Sequence, residues 1–245
     1  MELFTGTIES FRTFAGSASP VRTFREDPGG AWPKGGGRNI VLKEDMGLEL
    51  GAPEKESLSC FLWTENIKNV VDGRITLVGP DFPESREKSL PFGKVVLAGV
   101  EGFTDENAYD RHRTLELLRY SLDLRGFMIR AVSQYMKEWC RVSSAALNDG
   151  FSVRILGSAL MELIRREPFV KAVEVYFFTS SPGDVARLRE ITFPAEQIIA
   201  AMNKMAEEMD FDCERCDYRP VCDDASQLKS MRDSIMKKAR ESSNG

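Results

Sequence analysis

Histidine occurs once in this chain of 245 residues, tryptophan three times and cysteine five times, and no long apolar run occurs anywhere. Each shortage excludes something. A single histidine argues against a Ser-His-Asp hydrolase. Crossing a bilayer takes about 20 consecutive apolar residues, and no stretch approaches that length, so no membrane span is expected. The net charge is -5, and the basic residues are scattered rather than gathered into a stripe interleaved with aromatics. That balance disfavours nucleic acid and anionic lipid as partners. The opening MELFTGTIESFRTF carries an acid at position 2, with no basic start and no apolar centre, unlike a secretory leader. The expected location is the cytoplasm, where thiols stay reduced.

Against that sparing use of cysteine, three of the five lie within ten residues: Cys213, Cys216 and Cys222, in the stretch MDFDCERCDYRPVCDD. In a reducing compartment a cluster of this kind points to a metal rather than to a disulfide framework. Two residues between Cys213 and Cys216 let the chain turn and aim both sulfurs at one centre. Thiolates select iron–sulfur clusters or zinc by softness. The surrounding acids, Asp210, Asp212, Glu214, Asp217, Asp223 and Asp224, disfavour further thiolate charge unless a cation is bound. Arg215 and Arg219 could offset that charge and donate to cluster sulfurs. Three cysteines leave a tetrahedral site one ligand short. Cys60 and Cys140 sit in apolar segments and read as small buried hydrophobes. His112 sits in the charged run YDRHRT and reads as a surface side chain. An iron–sulfur cluster, a zinc ion and plain thiols at a loop all remain open from spacing alone.

The rest of the chain divides into a first segment, 1–37, ending in a Gly-rich loop, a central unit, 38–192, and a helical segment, 193–245, that carries the cysteines. SCFLWT (59–64), GRITLVG (73–79) and GKVVLAGV (93–100) read as strands; they follow one another without helical insertions, which favours antiparallel pairing. Residues 105–136 have helical spacing through Leu115, Leu118, Leu122, Phe127 and Ile129. EWCRVS (138–143) is a strand, 152–167 a helix, VKAVEVYFFTS (170–180) a strand and 181–191 a short helix. After Pro194 come two amphipathic helices around the cysteines. The predicted class is α+β: a mixed, mostly antiparallel sheet with helices packed on one face, plus the C-terminal helical Cys-containing segment.

Other groupings allow a chemical and a plain reading. Gly35-Gly36-Gly37 could cradle a phosphate but lacks the strand–loop–helix setting of a P-loop, so a flexible loop is expected. Glu44-Asp45 could serve in acid–base chemistry and equally suits a turn. Ser180 or Ser181 reads as a helix N-cap rather than a nucleophile. Arg165, Arg166, Arg187 and Arg189 could meet an anion such as a coenzyme A phosphate, or be solvated helix faces.

Several segments together resemble the acetyl-CoA synthase (beta) subunit of the CO dehydrogenase/acetyl-CoA synthase complex. They are VLKEDMGLELG (41–51), DGRITLVGPDF (72–82), SLPFGKVVLAGV (89–100), WCRVSSAALNDGFSVRILGSAL (139–160) and VKAVEVYFFTSSPGDVARL (170–188), in collinear order. The resemblance implies cluster binding: it carries Cys213, Cys216 and Cys222 onto the first three ligands of a [4Fe–4S] cluster, with Cys216 as the counterpart of a bridging thiolate. It implies partners among the subunits of that complex or corrinoid proteins, coenzyme A as a ligand, and an anaerobic setting. In this family a Cys-Gly-Cys holds nickel; this sequence contains none, so a complete nickel site, and with it full synthase activity, is not expected from this chain alone.

Overall fold

The computed structural model describes residues 2–27, 32–37, 39–132, 137–207 and 216–243. In chain order its elements are α1 (Thr5–Ser17), β1 (Val21–Arg25), β2 (Met46–Leu50), β3 (Ser57–Thr64), β4 (Arg74–Val78), β5 (Ser89–Leu90), β6 (Phe92–Val100), α2 (Ala108–Leu117), β7 (Phe127–Val132), β8 (Glu138–Ser143), α3 (Ser144–Asn148), α4 (Val153–Ile164), β9 (Val170–Phe178), α5 (Pro182–Glu207), α6 (Arg219–Asp224) and α7 (Ser226–Ser243). The class is α+β.

Two mixed sheets carry the strands, in the orders β1-β4-β9-β6-β3 and β5-β2-β8-β7. The apolar runs read from sequence become the middle of the larger sheet: every residue of β3 and β6 is buried, and β9 is buried except for Lys171. Near-continuous burial follows from layers on both sides, and such strands read as runs rather than alternations. One expectation fails here. β3 pairs with β6 in parallel, Cys60 opposite Val95, and β4 pairs with β9 in parallel, Ile75 opposite Val175. β4 does not sit between β3 and β6 as a hairpin partner; β9, arriving much later in the chain, separates it from β6 through an antiparallel pairing. Strand succession in sequence carries no information about a strand inserted from 70 residues downstream.

Helices cover the larger sheet. Phe11 of α1 stacks edge-on against Tyr176, ring centroids 4.9 Å apart, and Phe14 lies parallel to Phe178 at 5.8 Å. α5 closes on the same strands where Gly93 leaves room for Val185 and Leu188. α4 packs on the Ile75 side, its Gly157 so close that an added Cβ would lie 2.8 Å from Ile75 Cδ1.

Two further helix expectations change. The segment 105–136 is helical only as far as Leu117, with a 3-10 turn at Leu118–Ser121, and resumes as β7. Gly126 makes the change of direction, with φ of 77°, a conformation that L side chains resist. The break expected at Pro194 does not occur: α5 runs from Pro182 to Glu207 with Pro194 inside it. Proline removes one helix hydrogen bond. Burial of Val185 and Leu188 before it, and of Ala195, Ile198, Ile199 and Met202 after it, holds the helix together across the gap. No helix among the described residues is long and apolar enough to cross a membrane.

Candidate functional site

Cys213 lies outside the described residues. Cys216 is half-buried and immediately precedes a turn; its carbonyl accepts from Arg219 N–H at 3.0 Å. Cys222 sits in the short helix α6, with its N–H donated to Tyr218 O at 3.0 Å, and is only 3 % exposed. Both residues therefore belong to one tight turn-and-helix, with Pro220 in the first turn of α6. They are donors of the soft type that zinc and iron–sulfur clusters take. Among the described residues no three His, Cys, Asp or Glu side chains converge as a metal site, so any cluster here needs a donor from beyond them.

The remaining candidates resolve individually. The backbone N–H groups of Gly35 and Gly37 do hold an anionic oxygen, but it is the chain's own: both donate to Asp123 Oδ1, at 3.1 and 3.3 Å, and Asn39 Nδ2 joins them at 2.8 Å. The loop is tied to that carboxylate, which leaves it no phosphate role. Glu44 and Asp45 form a turn that feeds β2, Asp45 N–H donating to Leu42 O. Ser181 is the helix cap expected, accepting from Asp184 N–H at 3.1 Å. Every arginine considered for an anion has a carboxylate already: Arg165 pairs with Glu26 and Asp72, Arg166 with Glu162, Arg187 with Glu190 and Arg189 with Glu56. Cys60 and Cys140 are buried as small apolar residues, and burial pushes both thiols up from their ordinary range. His112 overturns its expectation. It is 1 % exposed, not on the surface, because α2 turns that side toward Phe4 and Phe61 while the neighbouring Arg111 and Arg113 point away.

Sequence reasoning missed the most concentrated polar group in the interior. Lys94 of β6 and Glu138 of β8, 3 % and 1 % exposed, form a two-pronged ion pair with Nζ–O distances of 2.6 and 2.7 Å. The pair joins the two sheets. Glu138 N–H donates to Ser57 Oγ at 3.1 Å, and the Cys140 thiol lies 3.6 Å from Glu138 Oε1. Burial alone would raise the Glu138 carboxyl; the Lys94 ammonium, by charge and hydrogen bonding, outweighs that and holds it below the usual range. The signal was present in GKVVLAGV: a lone charge in an otherwise apolar strand demands a buried partner.

The protein-family description "CO dehydrogenase/acetyl-CoA synthase complex beta subunit" matches residues 35–183, more than half of the chain. The chain belongs to this family. Among curated relatives, the acetyl-CoA decarbonylase/synthase complex subunit beta of Methanothermobacter thermautotrophicus is 28% identical over 172 residues, covering 69% of this chain and 35% of that protein. The subunit beta 2 of Methanosarcina thermophila is 28% identical over 174 residues, 69% and 34% of the two chains. The subunit beta 2 of Methanosarcina acetivorans is 30% identical over 155 residues, 61% and 31%. The chain spans about a third of the length of the curated relatives it matches. The family segment takes in the smaller sheet, every strand of the larger one except β1, and both Lys94 and Glu138. It ends before α5 is one turn long, well short of the three cysteines.

Proposed function

We propose that this chain is an iron–sulfur protein of the acetyl-CoA synthase beta-subunit family, accessory to a CO dehydrogenase/acetyl-CoA synthase complex or to corrinoid-linked one-carbon metabolism in an anaerobic cytoplasm. It is not a full synthase on its own residues, since the nickel-type Cys-Gly-Cys is missing from the 245 residues. One observation carries the reading: Cys213, Cys216 and Cys222 crowd into ten residues, and the two of them that are described share one turn-and-helix closed by its own backbone bonds. Cys213, Cys216 and Cys222 would hold a [4Fe–4S] cluster with one iron open to an outside ligand, and such an iron supplies Lewis-acid chemistry. The protein's contribution is to hold three thiolates, with Arg215 and Arg219 available to donate to their sulfurs. The relatives are named as subunits of a decarbonylase/synthase complex, which supports other subunits of such a complex as partners. Coenzyme A remains a proposed ligand, although its phosphates would have to displace carboxylates from the arginines discussed above.

A second reading is a non-catalytic interaction module with a structural zinc, for which Cys216 and Cys222, held in one turn-and-helix, are donors of the type such sites use. Iron, zinc and acid-labile sulfide analysis of the full chain purified without oxygen separates the two. Iron with matching sulfide, lost in Cys213→Ser and Cys222→Ser, is the expected result. One zinc and no iron per chain selects the second reading, and a metal-free chain sinks both.

A further inference from the structure

The only histidine of the chain occupies a place no mechanism above uses. His112 is enclosed between the rings of Phe4, centroid distance 6.1 Å, and Phe61, at 6.4 Å. Neither ring nitrogen has a hydrogen-bond partner. Buried nitrogens are almost always satisfied, so an imidazole with both bare is an exception that needs a reason. A neutral ring tolerates this box; an imidazolium would not, since charge burial without a partner is costly. One acceptor stands just out of reach. The Glu116 carboxylate, one helical turn on, lies 3.8 Å from Nε2 and remains partly exposed.

The charged groups around the ring are few. Glu116 favours its charged form; Arg119, further along the same helical run, opposes it, and burial opposes it most. β3 presents Phe61, with Cys60 on the opposite face of the strand, and the start of α1 presents Phe4. From α5, Glu196 acts on Cys60, and from β6, Lys94 lines a small cavity together with Glu116 and Arg119. Lys94 is neutralised by Glu138.

The box also borders two contacts made by α7. Phe4, at the start of α1, bridges His112 and Trp63, the latter at 5.4 Å. Two residues earlier, Glu2 N–H donates to Gln227 Oε1 of α7 at 2.6 Å. Ser230 of α7 hydrogen-bonds Asp105, just ahead of α2. Leu228 and Met231 of α7 are buried in the same core. α7 rests chiefly on α5 and α6, and these two hydrogen bonds tie it in addition to the segments on either side of the box.

We propose that His112 is an acid-sensitive latch: neutral, it seals the aromatic box that docks the start of α1 on α2 and β3 and so holds Glu2 and Asp105 in place; protonated, it turns out toward Glu116, and α7 loses the two hydrogen bonds those residues make with it. The latch does not depend on whether the cysteines hold metal. It makes the attachment of the cysteine-bearing end of the chain a function of pH.

The full chain tests this by hydrogen exchange and by NMR of its one imidazole. Between pH 7.5 and 5.5, amide protection of α7 is expected to fall by about tenfold per pH unit once below the histidine's ordinary range, the slope of one proton. His112→Phe fills the box and removes the proton, and is expected to abolish that response. Glu116→Gln withdraws the partner of the cation and is expected to move the response to lower pH. The same loss of protection in His112→Phe overturns the latch. If that variant fails to fold, the wild type decides alone: α7 protection that stays constant from pH 7.5 to 5.5, or an imidazole of the folded chain that already titrates in its ordinary range, overturns it, and protection that falls with the slope of one proton while the folded chain's imidazole stays neutral upholds it.

Discussion

Lys94 is the one charged side chain of strand Phe92–Val100, and its ammonium is as buried as the valines around it. Two ions withdrawn from water lose several kcal/mol each in hydration, and their mutual attraction regains that only with good geometry. The two-pronged contact and the Ser57 hydroxyl on the Glu138 N–H provide it. Breaking the pair from one side is therefore worse than removing it. Lys94→Met leaves a carboxylate alone in the interior and is expected to cost about 3–5 kcal/mol. Lys94→Met combined with Glu138→Gln keeps an acceptor in place but no charge, and most of the loss should return. Urea unfolding midpoints measure both; a double variant as unstable as the single one would mean that packing, not the orphaned charge, sets the cost. The charge balance also gives acid sensitivity a direction. A carboxyl held below its usual value contributes stability that is present above the ordinary carboxylate range and is lost as pH falls through its lowered one.

Helix α4 shows the limits of reasoning by propensity. Its Gly157 looks like a weakness, since Gly in a helix interior is about 0.5–1 kcal/mol worse than Ala. The position is a contact: an added Cβ would fall 2.8 and 2.9 Å from Cδ1 and Cγ1 of Ile75 in β4. Overpacking of that kind costs about 1–3 kcal/mol. Gly157→Ala is thus expected to lower the thermal midpoint, and Ile75→Val, by removing Cδ1, to restore part of it in the double variant. A rise in midpoint for the single variant would show that helix propensity wins.

Elements whose burial is uniform were legible without the structure. β4, β6 and β9 stood out as apolar runs between Gly and Pro punctuation, and the amphipathic α4 as a helix. What escaped detection had patterns serving two templates. Phe127 and Ile129 fit a helical stripe as well as a strand, and only the positive φ of Gly126 separates them. α1 escaped altogether, because its stripe, Ile8, Phe11 and Ala15, is short and its flanks carry no cap signal. At the candidate site, the crowding of Cys213, Cys216 and Cys222 was visible from spacing. The burial of His112 was not, since the arginines on either side gave it the look of a surface residue. Lys94 and Glu138 belong to different sheets, a proximity that no local pattern encodes.

At the scale of the whole molecule, the larger sheet is completed by elements outside the family segment 35–183. Strand β1 extends the larger sheet at β4, and α1 and α5 cover it; β1, α1 and nearly all of α5 lie outside that segment. The join between the family segment and the parts outside it runs through Glu174 of β9, which is fully buried. One of its oxygens takes Arg74 Nε at 2.6 Å and the Tyr176 hydroxyl at 2.6 Å; the other takes Arg12 of α1 at 2.9 Å and Val71 N–H at 3.2 Å. The carboxylate thus ties α1 to two strands through a charge that two guanidiniums share. Glu174→Gln keeps the shape and removes the charge. Its amide brings two N–H groups to where Arg12 or Arg74 now donates, and leaves a guanidinium without its counter-ion. The expected loss is about 2–3 kcal/mol. If α1 is held by this carboxylate, its amides lose exchange protection in the variant before those of β6 and β9 do. Protection lost at the same rate in all three would mean that α1 and the sheet unfold as one unit, held by Phe4, Phe11 and Phe14 rather than by Glu174.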